Sequence, residues 1–237
     1  MTGAGGRKRA RPGEGARLRT ELLAAAERIL DADGEDAVTV RGVAAAVGVT
    51  TPSVYLHFAS RLELLHAVCL GVWDELGRCM SDAASDVDDP FSALHRRCAT
   101  YIAFGLEHPL RYSLVMNGRA TEASRQVAAD CFRYLAEAVE PCVAAGALRG
   151  DVAELTRAIC AGLHGSVALL AQQPPETWPR DLDAYATNTA SLVAFGAAAL
   201  GRLPDTSATP DSGTLAGLFT TPPATGTASG RPGSSTP

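Results

Sequence analysis

The sequence predicts an all-α protein in two parts, a small N-terminal unit of three helices and a larger helical body. Three observations point there. Residues 38–61, VTVRGVAAAVGVTTPSVYLHFASR, hold two short helical patterns joined by Gly48. After Arg61, the residues Leu62, Leu65, Cys69, Val72, Leu76 and Cys79 recur every three or four positions, the spacing of one helix face. Phe91, Leu94, Cys98, Tyr101 and Gly105 repeat the same stepping. With 237 residues and 46% hydrophobic content, the chain is long and apolar enough for a substantial core.

In order, residues 1–15 are rich in Gly and Arg and read as a disordered basic arm. Helix one runs from about Arg17 to Asp33, its inner face marked by Leu18, Leu22, Ala25 and Ile29, and Gly34 stops it. Thr39 caps the next helix, whose Val40, Val43, Ala44 and Val47 share a face. Gly48 ends that helix in a left-handed conformation, and Thr50 is the next cap. Pro52 lies in the first turn of the following helix, where a missing N–H costs little. Val54 and Phe58 then point inward, leaving Thr51, Ser53, Tyr55 and His57 outside. Cap, small-residue helix, glycine turn and second helix make a helix-turn-helix, placed here in residues 16–62.

The body, residues 63–201, opens with the long striped helix and an acidic connection at 81–90. A helix apolar on most sides follows and is broken at His108-Pro109. A short helix then runs to Asn117-Gly118 and a longer one from about Thr121 to Ala145, with Pro141 near its end. Two last helices, 151–172 and 181–200, are rich in Ala and Gly. From 202 on, Pro, Thr, Ser and Gly dominate, which reads as a disordered tail.

The second helix of the pair is two turns long and carries Thr, Ser, Tyr and His where an ordinary surface helix carries Glu and Lys. Short hydroxyl and ring side chains meet phosphates and base edges without carboxylate repulsion. An ordinary helical hairpin is the alternative. The net charge of −5 argues against a nucleic-acid partner, but its distribution does not. Residues 1–19 hold six basic residues against Glu14 alone, a net +5, so the remainder carries −10. A basic end on an acidic body suits a contact made by the tip.

Residues 17–65 resemble the N-terminal domain of the TetR family of transcriptional regulators. The likeness rests on the helix ending at Gly34, on TVRGVAAAVGV and on TPSVYLHFASRLELL. Arg61 stands where the family more often has lysine. The resemblance implies a homodimer on a palindromic double-stranded DNA operator. Thr51, Pro52, Ser53 and His57 are then set for base edges, Thr39, Tyr55 and Arg61 for phosphates and Arg41 for either, with Thr50 in the same DNA-binding set. Arg7, Lys8, Arg9 and Arg11 are placed to enter an adjacent minor groove, unless the arm is simply solvated.

For the body, the resemblance implies a ligand-binding and dimerisation domain holding a small apolar or aromatic effector. Trp73, Phe91, Tyr101, Phe104, Tyr112, Met116, Tyr134 and His164 are the candidates around it; plain core packing is the alternative for each. RYSLVMNG and ICAGLHGSVALL also look like a C-terminal domain type named for a Trp-His-Gly motif, with His164-Gly165 matching and Cys160 or Ala161 near the tryptophan position. Ala161, Gly165, Ala168, Tyr185, Leu192 and Phe195 are candidates for a dimer interface formed by the last two helices.

The resulting expectation is a repressor released by its ligand. The rivals are control by a partner protein or by no ligand, and an all-α enzyme or carrier. The sequence has no nucleophile, phosphate-loop or dinucleotide motif, so no catalytic residue and no cofactor are assigned. The six cysteines lack metal-ligand spacing and read as reduced packing residues, with no metal site. No apolar run reaches a membrane span, and the polar start lacks a secretory core, so a cytoplasmic protein is expected.

Overall fold

The computed structural model describes residues 14–117, 122–203 and 211–219. Every regular element among them is a helix, as expected. The basic arm at Arg7, Lys8, Arg9 and Arg11 lies outside the described residues.

Helix α1 (Glu14–Asp33) ends at Gly34, whose φ of 81° suits glycine alone. A one-turn 3₁₀ helix (Glu35–Ala37) leads to α2 (Val40–Val47) and α3 (Thr51–Tyr55). Thr39 caps α2 by accepting from the Gly42 N–H at 3.0 Å, and Gly48 adopts φ 76°, ψ 29°. Thr50 has the cap backbone, but its hydroxyl lies 2.8 Å from the Ser53 hydroxyl and caps no N–H. Ser60 caps α4 (Arg61–Ala83), and Glu63 reaches back to the Ala59 N–H, a reciprocal cap that the Ser60-x-x-Glu63 spacing encodes.

The body continues through α5 (Pro90–Glu107), α6 (Pro109–Asn117), α7 (Glu122–Ala144), α8 (Val152–Ala171) and α9 (Leu182–Leu200). Asp89, Asp151 and Asp181 cap α5, α8 and α9 through their carboxylates. A further helix, α10 (Ser212–Phe219), starts with Asp211 accepting from the Thr214 N–H at 2.7 Å. Those eight residues, SGTLAGLF, are less polar than the Pro/Thr/Ser stretches around them, so the reading of a structureless tail does not extend to them.

The core has two centres. One joins Leu22, Ala26, Val43, Val54 and Phe58 of α1–α3 and the loop beyond α3 to Leu64, Leu65, Val68, Val72 and Leu76 of α4. The other lies between α5, α7, α8 and α9 around Ile102, Val139, Ile159 and Val167. Helix α4 buries 64/65, 68/69, 72, 76 and 80, while Leu62 and Cys79, the ends of the expected stripe, are exposed. A strict seven-residue pattern drifts around a straight 3.6-residue helix, so its ends leave the buried face. Helix α9 lays Ala186, Ala190, Ala194 and Ala197 into the body, and alanine permits this close approach.

Candidate functional site

Two surfaces carry the candidate residues. At the N-terminal tip, α3 is only five residues long and is held by Val54 and Phe58, both fully buried. The guanidinium of Arg19 stands 5.0 Å above the Phe58 ring. Arg41, Pro52 and Tyr55 project outward, Thr39 and Thr50 are exposed, and Thr51, Ser53 and His57 are half-buried beside them. Leu56, which the sequence reading passed over, is the most exposed large apolar side chain of this tip at 74%.

Arg61, expected at a phosphate, has backbone carbonyl partners within the chain. Nε donates to Val38 O at 2.6 Å and Nη2 to Glu35 O at 2.5 Å. Arginine's fork reaches two acceptors at once, which a lysine could not do in the same way. Arg61 therefore fastens the start of α4 to the turn ahead of α2.

The second surface is a cleft of about 890 Å³ in the body, within the range of small-molecule sites. Five of the eight expected residues line it: Trp73, Tyr101, Met116, Tyr134 and His164. Tyr112 lies behind the wall, buried, with its hydroxyl 3.1 Å from His164 Nδ1. Phe91 and Phe104 are corrections. Phe91 packs edge-on against Phe195, with ring centroids 5.3 Å apart, and Phe104 is buried in the core shared with α1 and α4, against His108. Helix α5 is apolar on several sides, so its aromatics face three different neighbours and only Tyr101 faces the cleft.

Tyr101 and Tyr112 both bring hydroxyls to His164 Nδ1, at 2.7 and 3.1 Å. Burial lowers the His164 pKa below the ordinary histidine value, which favours the neutral ring that can accept there. Burial, then the neighbouring Tyr112, pushes the Tyr101 phenol up, so it stays protonated. Tyr134 OH pairs with Ser81 Oγ at 2.7 Å and donates to Gly77 O at 3.3 Å, tying α7 to α4.

Ser166 donates to Gly162 O at 2.6 Å while His164 is engaged by the tyrosines, and His95 bonds Ser191 at 2.8 Å. Cys131 and Cys160 also line the cleft, and burial raises both thiols above the ordinary cysteine value. Among the described residues, no group of His, Cys, Asp and Glu could hold a metal. No helix there is long and apolar enough to cross a membrane.

The interface candidates divide. Gly165, Leu192 and Phe195 are exposed, and Leu169, Gly196 and Leu200, not foreseen, are exposed on the same two helices. Ala168 is half-buried. Ala161 instead lines the cleft, and Tyr185 turns inward to donate to Ser166 O at 3.2 Å. Gly162, one turn from Ser166, seats α8 on α9: a Cβ there would meet Val193 at 2.8 Å.

One further arrangement joins the two surfaces. Arg111 of α6 donates to both carboxylate oxygens of Asp31 on α1, at 2.6 and 2.7 Å, and to Glu75 of α4 at 2.6 Å. This holds the Asp31 carboxyl below its ordinary value, while burial lifts that of Glu27 nearby.

Comparison with known proteins agrees with this architecture. Residues 22–68 match the model described as bacterial regulatory proteins of the tetR family, and residues 94–193 match the Tetracyclin repressor-like C-terminal domain. A Rhodococcus sp. RHA1 protein of unknown function superposes with TM-score 0.66 at 24% identity, covering 80% of this chain and 100% of its own. The TetR-family regulator PfmR from Thermus thermophilus gives 0.55 at 22% identity, over 73% and 97%. RolR, solved with its ligand resorcinol, gives 0.60 at 17% identity, over 82% and 97%. No curated protein matches the sequence. The two family models fall on the helix-turn-helix tip and on the helical body, so the chain belongs to the TetR family of transcriptional regulators.

Proposed function

We propose that the protein is a cytoplasmic homodimeric repressor that binds a palindromic operator and leaves it when a small apolar molecule occupies the cleft. Helix α4 carries this reading. Its first turns, Leu64, Leu65 and Val68, share a core with Val54 and Phe58 beneath the recognition helix, while Trp73, Gly77 and Met80 further along wall the cleft. A ligand entering beside Trp73 would act on the same rigid rod that carries the tip. Helix α6 adds a second link, with Met116 in the cleft and Arg111 gripping α1 and α4. The open cleft also favours a ligand over the reading of a regulator with none.

In the DNA complex, Thr51, Pro52, Ser53 and His57 are assigned to base edges and Thr39, Thr50 and Tyr55 to the backbone. Arg41, exposed and without an ion pair among the described residues, serves either. Gly165, Leu192 and Phe195 are assigned to the contact between subunits, and residues 16–62 and 63–201 to the two domains. RolR takes an aromatic ligand in the same fold, and we extend an apolar or aromatic effector to this protein on that likeness.

A ligand can release DNA only through its different affinity for the two head positions, and coupling of ~1–3 kcal/mol corresponds to a five- to hundredfold loss of operator affinity. Linkage makes the effect reciprocal. A hit from an apolar-compound thermal-shift screen should bind free protein more tightly than operator-bound protein, by the same factor that it weakens the operator. Ala161→Trp, which fills the cleft, should remove that response and keep DNA binding. Equal ligand affinity for the free and operator-bound forms would show that α4 is not a ligand-driven switch.

A further inference from the structure

The walls of the cleft are mostly apolar and aromatic, but among the described residues one half-buried cation, Arg97, is set into them without an ion pair. Arg97 lies on α5 one turn before Tyr101, half-buried and lining the cleft. Its neighbour Arg96 turns outward and pairs with Asp86 at 2.7 Å. The Arg97 side chain has no hydrogen bond or ion pair among the described residues. Four other charged residues line the cleft: Asp74, Arg78 and Asp82 at exposed positions of α4, and Asp130, which takes Arg133 at 3.0 Å. A partly desolvated guanidinium is costly unless an anion and its acceptors reach it, and its planar fork matches a carboxylate with two parallel hydrogen bonds.

We propose that the cleft takes an aromatic carboxylic acid, with the carboxylate on Arg97 and the ring system among Trp73, Met116 and Phe132. The proposal rests on the cleft being the effector site and adds the charge of the occupant. A single inset cation suits one carboxylate; a polyphosphate would need several. Tyr101, at i+4 from Arg97 on the same face, places its hydroxyl and His164 about one turn along α5, where a second polar group of the ligand is met.

The test compares two probes of one shape, 4-biphenylcarboxylate and 4-biphenylmethanol, by calorimetric titration of the full-length protein. A carboxylate paired with Arg97 should bind about ten- to a hundredfold more tightly than the alcohol, the usual range for hydrogen bonds to a charged group. Arg97→Met and Arg97→Gln should erase that preference and leave the alcohol's affinity in place, which also reports that each variant keeps its fold. If both probes bind the wild-type protein equally, or if the preference survives in both variants, the acid assignment is wrong and the cleft remains an effector site for neutral molecules. If neither probe binds the wild-type protein, the effector-site reading falls along with it.

Discussion

Replacing Leu192 and Phe195 together by glutamate should break the proposed dimer into monomers and abolish operator binding. These side chains are 75% and 61% exposed on α9, an apolar surface that a single subunit leaves in water. Burying a Leu or Phe stabilises by roughly 1.5–3 kcal/mol, and a two-fold axis would bury four such side chains, so the substitution removes most of what holds a dimer together. A monomer reaches only one half-site. Gly165→Leu is the gentler companion: an added Cβ there meets nothing within 4 Å, so the protomer keeps its fold while the approach of a second copy is blocked. Gly162, whose Cβ would strike Val193, has the opposite character and would damage the protomer itself. Sedimentation should show monomers for the double variant. Intact dimers would place the interface elsewhere.

Phe58→Ala should cost about 3–5 kcal/mol, the range for a fully buried aromatic, and lower operator affinity more than about a hundredfold. Phe58 follows α3 directly, its N–H donating to Val54 O at 3.0 Å, and its ring supports the guanidinium of Arg19. Without the ring, a five-residue helix has too little of its own to hold a fixed presentation of Thr51, Ser53 and Tyr55. The body's second core contains none of these residues, so sedimentation of the variant should still give dimers. Near-normal operator affinity would show that α3 is held in place by something other than Phe58.

Helix starts and stops were legible because they are local. Thr39, Gly48, Pro52 and Gly34 act within a few residues of themselves, and the helix-turn-helix follows from them. The cleft was legible only in part. Spacing shows that Phe91, Tyr101 and Phe104 are apolar positions of one helix, but which faces a cavity depends on the elements around it. Here α9 takes Phe91, the tip's core takes Phe104, and the cleft is left with Tyr101. Arg97 gave no signal, since a lone arginine in a helix reads as surface. The bonds of Arg61 were hidden because its partners, Val38 O and Glu35 O, are backbone atoms more than 20 residues away. Arg111 joins three helices through side chains that look like ordinary surface charges in the sequence.

Sequence-specific DNA recognition by two α3 helices related by a two-fold axis is the central claim. Selection of duplexes from a random pool by the full-length protein measures this directly. The enriched site should be palindromic, with half-site centres separated by about one helical turn, ~34–36 Å, or a multiple of it. Enrichment of no sequence, or of a site without two-fold symmetry, would contradict it.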